Sequence, residues 1–415
     1  MEDFEKQKAV LVSMAKDKSE LYACESSLAE LERLLDTAGG ETFCKVIQVR
    51  DSYDPRTCIG KGKIAEVKDI CIKNDINLVI FDFELSPSQI RNIEEDVGVE
   101  VIDRTMLILD IFAMHAVSGE GKMQVELAQL RYTAPRLTGK GVELSRQEGR
   151  IGSRGPGESK LESDRRYIKR RISAIEDMIA EMDKNRATMR ASRDRSGLPK
   201  IAIVGYTNAG KSTLLNCLTG AGVLAQDKLF ATLDPTTRRL SLPEGEVVLL
   251  TDTVGLIRNL PHHLVKAFKS TLDEAVYADI LMIVVDASDE ECEEQLLVTK
   301  QLLSELNAVD KPIIYVYNKC DACKEKPKCT DGDFVFVSAK NGEGIDALVS
   351  LVEKTVRMGK KTVSMRIPYS EASRLNALYG DSSVHSVDYL EDSIAVVATI
   401  DNSKISLYQK YICGE

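Results

Sequence analysis

Hydrophobic and polar positions alternate in two distinct ways along the first 135 residues. Short apolar runs predict buried β-strands at 8–14, 42–49, 77–83 and 99–103. Between them, apolar residues spaced three or four positions apart predict helices at 18–37, 61–73 and 105–132, the last with a break near Gly119 and Gly121. Ser86 followed by Pro87 predicts the start of a further helix. This alternation of strands and helices indicates a small α/β domain with a largely parallel sheet.

A different pattern follows this domain. Six glycines and two prolines between residues 133 and 158 predict a loop. From 160 to 195 the chain is strongly charged, and its sparse apolar residues recur at helical spacing. This spacing predicts one amphipathic helix or a helical hairpin, for which a bend at 184–187 is the best candidate.

Strands and helices alternate again from residue 200 to about 359. The predicted strands are 201–204, 239–242, 246–251, 280–286, 312–317 and 334–337, which together indicate a doubly wound sheet. The tail predicts a strand at 363–367, a helix at 371–379, a hairpin across 383–400 and a last helix from Ser403. The predicted domains are therefore an N-terminal α/β domain (1–135), a glycine-rich loop with a basic helical linker (136–196), a doubly wound domain (197–360) and a small α/β appendage (361–415).

A glycine loop between the strand 201–204 and the helix after it carries the clearest chemistry. It matches the phosphate-binding pattern G-x-x-x-x-G-K-S with Gly205, Tyr206, Thr207, Asn208, Ala209, Gly210, Lys211 and Ser212. The loop backbone and the helix N-terminus would bind phosphate oxygens. Lys211 would reach the β- and γ-phosphates, and the Ser212 hydroxyl would ligate Mg²⁺.

Four later segments at strand ends indicate that the nucleotide is GTP. Asp252 would hold Mg²⁺ through water, and the backbone of Gly255 would meet the γ-phosphate. Asp321 would accept hydrogen bonds from N1–H and N2–H of guanine, which adenine does not offer. The four segments are Asp252, Thr253, Val254 and Gly255; Asn318, Lys319, Cys320 and Asp321; Ser338, Ala339 and Lys340; and a first switch loop with Phe230, Ala231, Thr232, Leu233 and Asp234.

In the first switch, Thr232 is the best candidate for a second Mg²⁺ ligand, and Thr236 and Thr237 are alternatives. Leu256 occupies the position after Asp-x-x-Gly where many GTPases have a glutamine that orients water, so slow hydrolysis with stimulation by a partner is expected. No residue can be assigned as the catalytic base. Asn208 is predicted either to help bind K⁺ or to make a plain hydrogen bond within the loop, and the sequence leaves both open.

Charge changes the picture of the linker. Residues 131–200 hold 18 Lys and Arg against 10 Asp and Glu, although the whole chain has a net charge of −10. A basic segment on an acidic protein indicates a contact with a polyanion. The alternative is a solvated helix face whose charges pair internally, for example Glu158 or Glu162 with Arg165 or Arg166. The acidic N-terminus has no apolar signal core, and no apolar run has membrane-spanning length, so we expect a cytoplasmic protein, by default a monomer.

Several motifs resemble the HflX family of ribosome-associated GTPases. They are the first switch at 230–238, the segments 152–158 and 161–166, the loop 60–63 and the helix segment 127–132. This resemblance covers roughly residues 10–360 and implies GTP hydrolysis, Mg²⁺ as cofactor and binding to rRNA of the large ribosomal subunit. In some bacterial members it also implies the splitting of stalled or resting ribosomes.

Two other functions compete with this prediction. One is a GTP-dependent switch that binds a protein partner away from the ribosome. The other is an ATPase resembling an RNA helicase, against which the Asn318–Asp321 motif argues. The polar loop 54–63 opens a helix and could bind an anion, although a tight turn between strand and helix is the preferred interpretation.

Overall fold

The computed structural model describes residues 7–137, 156–194, 198–220, 229–230, 232–258, 269–323, 325–327, 332–358, 360–401 and 405–413. The chain divides into two compact units. The first contains the N-terminal residues up to Ala180 together with the segments Gln226–Asp234 and Asn259–Lys269. The second contains the remainder.

The first unit is built on a four-stranded sheet in the order β2-β1-β3-β4, in which every pair of neighbours is parallel. Its strands are β1 (Lys8–Ala15), β2 (Glu41–Val49), β3 (Leu78–Phe81) and β4 (Glu100–Asp103). β1 and β3 are buried almost throughout because they are the two central strands, which explains their continuous apolar runs. The predicted parallel α/β domain is confirmed.

Five helices connect and extend this sheet: α1 (Leu21–Thr37), α2 (Lys61–Asn74), α3 (Pro87–Val97), α4 (Arg104–His115) and α5 (Gly119–Thr133). Ser86 caps α3 in a reciprocal capping box with Gln89, as the Ser-Pro start signal predicts. The predicted break in the last helix lies at 116–118, just before the two glycines. Ser118 starts α5 by accepting a hydrogen bond from the Gly121 N–H.

A buried ion cluster lies in the same unit. The Arg104 guanidinium donates to Asp82 at 2.8 Å and also contacts the Glu30 carboxylate. All three side chains are nearly inaccessible to water. Removing one partner would leave an uncompensated buried charge, so the three residues act as one structural unit that ties α1, α4 and the end of β3 together.

The basic linker forms a single helix, α6 (Pro156–Asp194), of 39 residues. The candidate bend at 184–187 was wrong, since the helix is continuous there. The described side chains between 165 and 184 are mostly exposed, and Ile175 is fully buried. Most of the predicted glycine loop (138–155) lies outside the described residues.

The second unit contains a six-stranded sheet in the order β10-β9-β8-β5-β7-β6. All neighbours are parallel except β6 and β7, which form an antiparallel edge. The strands are β5 (Lys200–Gly205), β6 (Thr236–Ser241), β7 (Val247–Asp252), β8 (Ile280–Asp286), β9 (Ile313–Asn318) and β10 (Asp333–Phe336). The described helices that accompany them are α7 (Lys211–Thr219), α8 (Lys269–Tyr277), α9 (Cys292–Glu305) and α10 (Ile345–Met358). The predicted doubly wound sheet is confirmed.

The C-terminal residues form a three-stranded antiparallel sheet in the order β11-β13-β12. The strands are β11 (Lys360–Pro368), β12 (Ser382–Tyr389) and β13 (Ser393–Asp401), and the helices are α11 (Ser373–Asp381) and α12 (Ile405–Tyr408). Alternate residues of β11 and β13 point into a core with Leu378, Tyr408 and Tyr411. Across the described residues, no helix combines the length and the apolar composition that crossing a bilayer requires.

Candidate nucleotide-binding site

The glycine loop lies at the carboxyl end of β5, the central strand of the six-stranded sheet, and leads directly into α7. Gly205 and Gly210 are required for steric reasons. A Cβ on Gly205 would lie 2.2 Å from the Val284 carbonyl oxygen, and one on Gly210 would lie 2.2 Å from the Asn318 side-chain nitrogen. Gly210 also has a φ of +90°, which L side chains rarely adopt. The loop therefore packs against β8 and β9 with no room for side chains.

The Lys211 side chain is buried, and its ammonium donates to the carbonyl oxygens of Gly205 at 3.2 Å and Tyr206 at 2.9 Å. Burial lowers the pKa of Lys211 to about 8, although the Asp252 charge opposes the shift. Keeping the buried Lys211 ammonium charged costs free energy, which the Asp252 charge offsets only in part. Nucleotide phosphates bound beside Lys211 would offset the remainder.

Binding of GTP should therefore be accompanied by proton uptake at alkaline pH. Phosphate contacts would return the Lys211 pKa from about 8 toward about 10.4, so uptake should rise from about 0.1 proton at pH 7 to about 0.9 at pH 9. Calorimetric titrations at each pH in two buffers with different ionisation enthalpies measure this number. Uptake near zero at pH 9 would contradict the assignment.

The same pKa shift has a defined effect on stability in the absence of nucleotide. The folded-state pKa lies below that of the unfolded chain, so between about pH 8 and 10.4 the unfolded chain binds more protons. The contribution of Lys211 to the free energy of unfolding consequently increases with pH in that window. Below pH 8 its unfavourable contribution is at its full size.

Ser212 and Asp252 come together as the motifs predict. The Ser212 hydroxyl donates to the Asp252 carboxylate at 2.6 Å, and Asp252 is fully buried at the end of β7. A hydroxyl and a carboxylate beside a phosphate-binding loop form the oxygen donor set that Mg²⁺ prefers. These residues therefore fit a magnesium ion.

The segment 252–258, here called the second switch, is held against the glycine loop by backbone hydrogen bonds. The Thr207 N–H donates to the Leu256 carbonyl at 2.7 Å, and the Leu256 N–H donates to the Gly205 carbonyl at 3.1 Å. A Cβ on Gly255 would lie 2.7 Å from the Thr207 Cα, so only glycine fits this approach. Thr253 and Val254 are buried beside it. The two phosphate-facing segments thus form one continuous backbone surface.

Two contacts around this surface were not evident from the sequence. The Arg258 N–H donates to the Tyr206 hydroxyl at 2.9 Å, and the Arg258 guanidinium pairs with Glu291. The sequence predicts Tyr206 as a GTP-binding residue of the loop, without a role for its hydroxyl. Its hydroxyl links the loop to the far end of the second switch.

The Leu256 side chain is buried, so this position cannot present a side chain to water. Leu256→Gln should therefore not accelerate GTP hydrolysis. It should lower the free energy of unfolding by about 1–3 kcal/mol, because an amide is buried without partners. Single-turnover hydrolysis and urea denaturation measure the two effects. Leu297→Gln, at a leucine that is 65% exposed, is the matched control and should change neither; faster hydrolysis in Leu256→Gln would contradict this.

The base-recognition motifs meet through the Asn318 side chain. Its amide nitrogen donates to the Ala209 carbonyl at 2.9 Å, and its amide oxygen accepts from the Ala339 N–H at 3.0 Å. One buried side chain thereby ties the glycine loop, the end of β9 and the segment Ser338, Ala339 and Lys340 together. Ser338 is fully buried, whereas Lys340 is exposed.

The other residues of the Asn318–Asp321 motif lie around the Asn318 side chain. Lys319 adopts a left-handed φ of +62° and pairs with Asp286 at 2.7 Å. The Cys320 N–H donates to the Val337 carbonyl at 3.1 Å. Asp321 is exposed in the short turn after β9, where its carboxylate can accept hydrogen bonds from a base. Asp286, at the end of β8, was missed, although a carboxylate closing an apolar strand is a recognisable signal.

The first switch has a different environment. Ala231 lies outside the described residues, and Thr232 is partly buried. Phe230 and Leu233 are buried, and the Asp234 carboxylate accepts hydrogen bonds from Val117 and Ser118 within the first unit. The predicted nucleotide contacts of Phe230, Leu233 and Asp234 thus have no direct support from their side-chain environments. Asn208 has a left-handed φ of +61° within the glycine loop.

Comparisons with known proteins agree with this site. Three family models match in chain order: "GTP-binding GTPase N-terminal" over residues 25–113, "GTP-binding GTPase Middle Region" over 115–193, and "50S ribosome-binding GTPase" over 200–319. The chain is 50% identical to a protein named GTPase HflX from Lacrimispora saccharolytica, covering 90% of this chain and 89% of that one. It is 46% identical to the GTPase HflX of Caldanaerobacter subterraneus, covering 95% and 91%. It is 41% identical to the GTPase HflX of Escherichia coli, covering 85% and 84%.

Proposed function

The chain belongs to the HflX family of GTPases, and on this basis we propose that it is a GTP-dependent switch that docks on the large ribosomal subunit. That it binds and hydrolyses GTP follows from the family and from its P-loop domain. The proposal concerns the partner and the use of the nucleotide. One family model carries a description that includes 50S ribosome binding, which supports the choice of partner.

The observation that carries the proposal is an exposed basic face at the start of α6. Arg165, Arg166, Lys169 and Arg170 are all exposed. At 100° per residue they cover a sector of about 140° on one side of the helix. Tyr167 lies about 60° beyond the edge of this sector, with 68% of its surface exposed, and adds an aromatic ring suited to stack on a base. Such a face fits a polyanion with unpaired bases, as rRNA presents.

Internal ion pairs account for the charge of two other arginines near this face. Arg171 forms a bidentate ion pair with Glu126 at 2.7 and 2.8 Å, and Arg131 pairs with Glu176 at 2.6 Å. These pairs fasten α6 to α5. Arg131 and Arg171 therefore have a structural role, and the RNA contact is proposed for Arg165, Arg166, Lys169 and Arg170.

In the proposed cycle, Lys211 holds the phosphates, and Ser212, Thr232 and, through water, Asp252 would hold Mg²⁺, which neutralises developing phosphate charge. Asp321 would select guanine. GTP would order the two switches and favour the form that docks on the subunit, and hydrolysis would release it.

The same docking would allow the protein to split or rescue ribosomes, as a loss of light scattering from 70S particles would show. A K⁺ role for Asn208 is tested by comparing hydrolysis in KCl and NaCl.

Co-sedimentation with purified large subunits tests the central proposal. The double variant Arg165→Glu/Lys169→Glu should bind at least 10-fold more weakly in the presence of a non-hydrolysable GTP analogue. Its log affinity should also decrease less steeply with log salt, by about 2 in the slope. Lys354→Glu/Arg374→Glu makes the same charge change at exposed positions elsewhere and should bind normally. Wild-type protein that sediments no better with the analogue than with GDP would instead favour a protein partner away from the ribosome.

A further inference from the structure

The first-switch segment is packed into the N-terminal part of the first unit. Leu229, Phe230 and Leu233 are each at most 4% exposed. The Phe230 ring meets Phe112 of α4 edge to face, with 4.7 Å between centroids. The Leu229 N–H donates to the Thr37 hydroxyl at the end of α1, at 3.3 Å. Both apolar and polar groups of the segment therefore have partners in the N-terminal domain.

Asp234 makes the most specific of these contacts. Its carboxylate accepts hydrogen bonds from the Val117 N–H at 3.1 Å, the Ser118 N–H at 2.8 Å and the Ser118 hydroxyl. The Ser118 hydroxyl oxygen also accepts from the Gly121 N–H at 2.8 Å, which starts α5. One carboxylate thus binds three donors at a helix N-terminus, where negative charge is favoured.

The surroundings of this carboxylate admit little variation. A Cβ on Gly121 would lie 2.6 Å from the Asp234 carboxylate oxygen, so glycine alone leaves the space that the contact needs. Phe230 has a φ of +56°, which is uncommon for a large side chain. A backbone in that region persists only when its neighbours fix it. Phe230 and Asp234 are therefore held at defined positions on either side of Thr232.

We propose that Phe112, Ser118, Phe230 and Asp234, here named the switch clamp, couple the first switch to the N-terminal domain. Ser118 and Asp234 act as positioning residues. Thr232 lies two residues from Phe230 and two from Asp234. Its movement to or from an Mg²⁺ ligand position would therefore strain the contacts of the switch clamp. Linkage is reciprocal. If the clamp contacts are more stable in one nucleotide state, that nucleotide must therefore stabilise the start of α5 by the same free energy. The inference rests on the proposed role of Thr232.

Ser118→Asp in the full chain tests the clamp. Aspartate preserves an N-cap but places a second carboxylate beside Asp234. We expect the ratio of affinities for a non-hydrolysable GTP analogue and for GDP to change by about 5-fold or more. Ser86→Asp makes the same exchange at the cap of α3 and should leave the ratio unchanged. An unchanged ratio in a folded Ser118→Asp protein overturns the proposal; Asp234→Asn provides the same test if Ser118→Asp does not fold.

Hydrogen exchange separates coupling from a merely structural role. In the wild type, amides 118–124 should exchange at different rates in the analogue and GDP complexes, and in Ser118→Asp that difference should disappear. Equal exchange in both wild-type complexes would also overturn the clamp. Thr232→Ala serves as the reference. If it leaves analogue affinity unchanged, the proposed Mg²⁺ role fails; if it weakens the analogue while Ser118→Asp keeps the wild-type ratio, only the clamp fails.

Discussion

Asp321→Asn is expected to abolish the preference for guanine and to create one for xanthine. The carboxylate can accept hydrogen bonds from both N1–H and N2–H of guanine, whereas an asparagine amide would direct its NH₂ group at the guanine NH₂. Xanthine carries a carbonyl oxygen at that position, which can accept from the amide. A site built around buried polar pairing discriminates by about 10⁴-fold, so the ratio of GTP to XTP affinity should fall by roughly that factor.

Competition binding with GTP and XTP measures this ratio. Asp321 is exposed in a short turn, so the variant should fold like the wild type. Asp310→Asn removes another exposed carboxylate, in the turn after α9, and should keep the wild-type preference. If Asp321→Asn still bound GTP far more tightly than XTP, base recognition would have to be assigned to other residues.

Asn318→Ala is expected to damage both the fold and nucleotide binding. It removes the partners of the Ala209 carbonyl and the Ala339 N–H, and both alanines are buried. Each of the two unsatisfied groups costs about 1–3 kcal/mol, so the free energy of unfolding should fall by about 2–6 kcal/mol. The glycine loop and the Ser338–Lys340 segment would no longer share an anchor, and affinity for GDP should fall by roughly 100-fold, equivalent to about 2.7 kcal/mol.

Urea denaturation and GDP titration test these two effects separately. Asn341→Ala is the matched control, because Asn341 is an exposed asparagine near the same segment whose backbone N–H donates to Ser338. It should lose less than about 0.5 kcal/mol and bind GDP normally. An Asn318→Ala protein with wild-type stability would show that the three segments do not depend on this side chain.

Features with a local cause could be predicted from the sequence. Buried strands such as β3 and β8 read as apolar runs because both faces of their sheets are covered. Ser86 and Pro87 placed the start of α3 because a cap acts within three residues. The phosphate-loop lysine, Ser212, Asp252 and Asn318 could be found because loops at the carboxyl ends of parallel strands meet at one edge of a sheet.

Features that depend on distant residues could not be predicted. The contact of Asp234 with Ser118 joins residues 116 positions apart and leaves no periodic signal. The glycines predicted a break near Gly119 and Gly121, but they did not show that Ser118 caps α5 or that Gly121 leaves room for a distant carboxylate. The sequence left a single helix and a hairpin both open for α6, because a charged helix has few apolar residues from which to judge a bend.

The order in which the chain is synthesised gives the switch clamp a further consequence. The surface around Phe112 and Thr37 is complete once α5 has left the ribosome, but its cover, which includes Leu229, Phe230 and Leu233, emerges about 100 residues later. At about 5–20 residues per second this delay is roughly 5–20 s. A nascent N-terminal domain therefore exposes an apolar patch throughout that interval. Slower translation of the region between α5 and Phe230 would lengthen the exposure and with it the demand for chaperones.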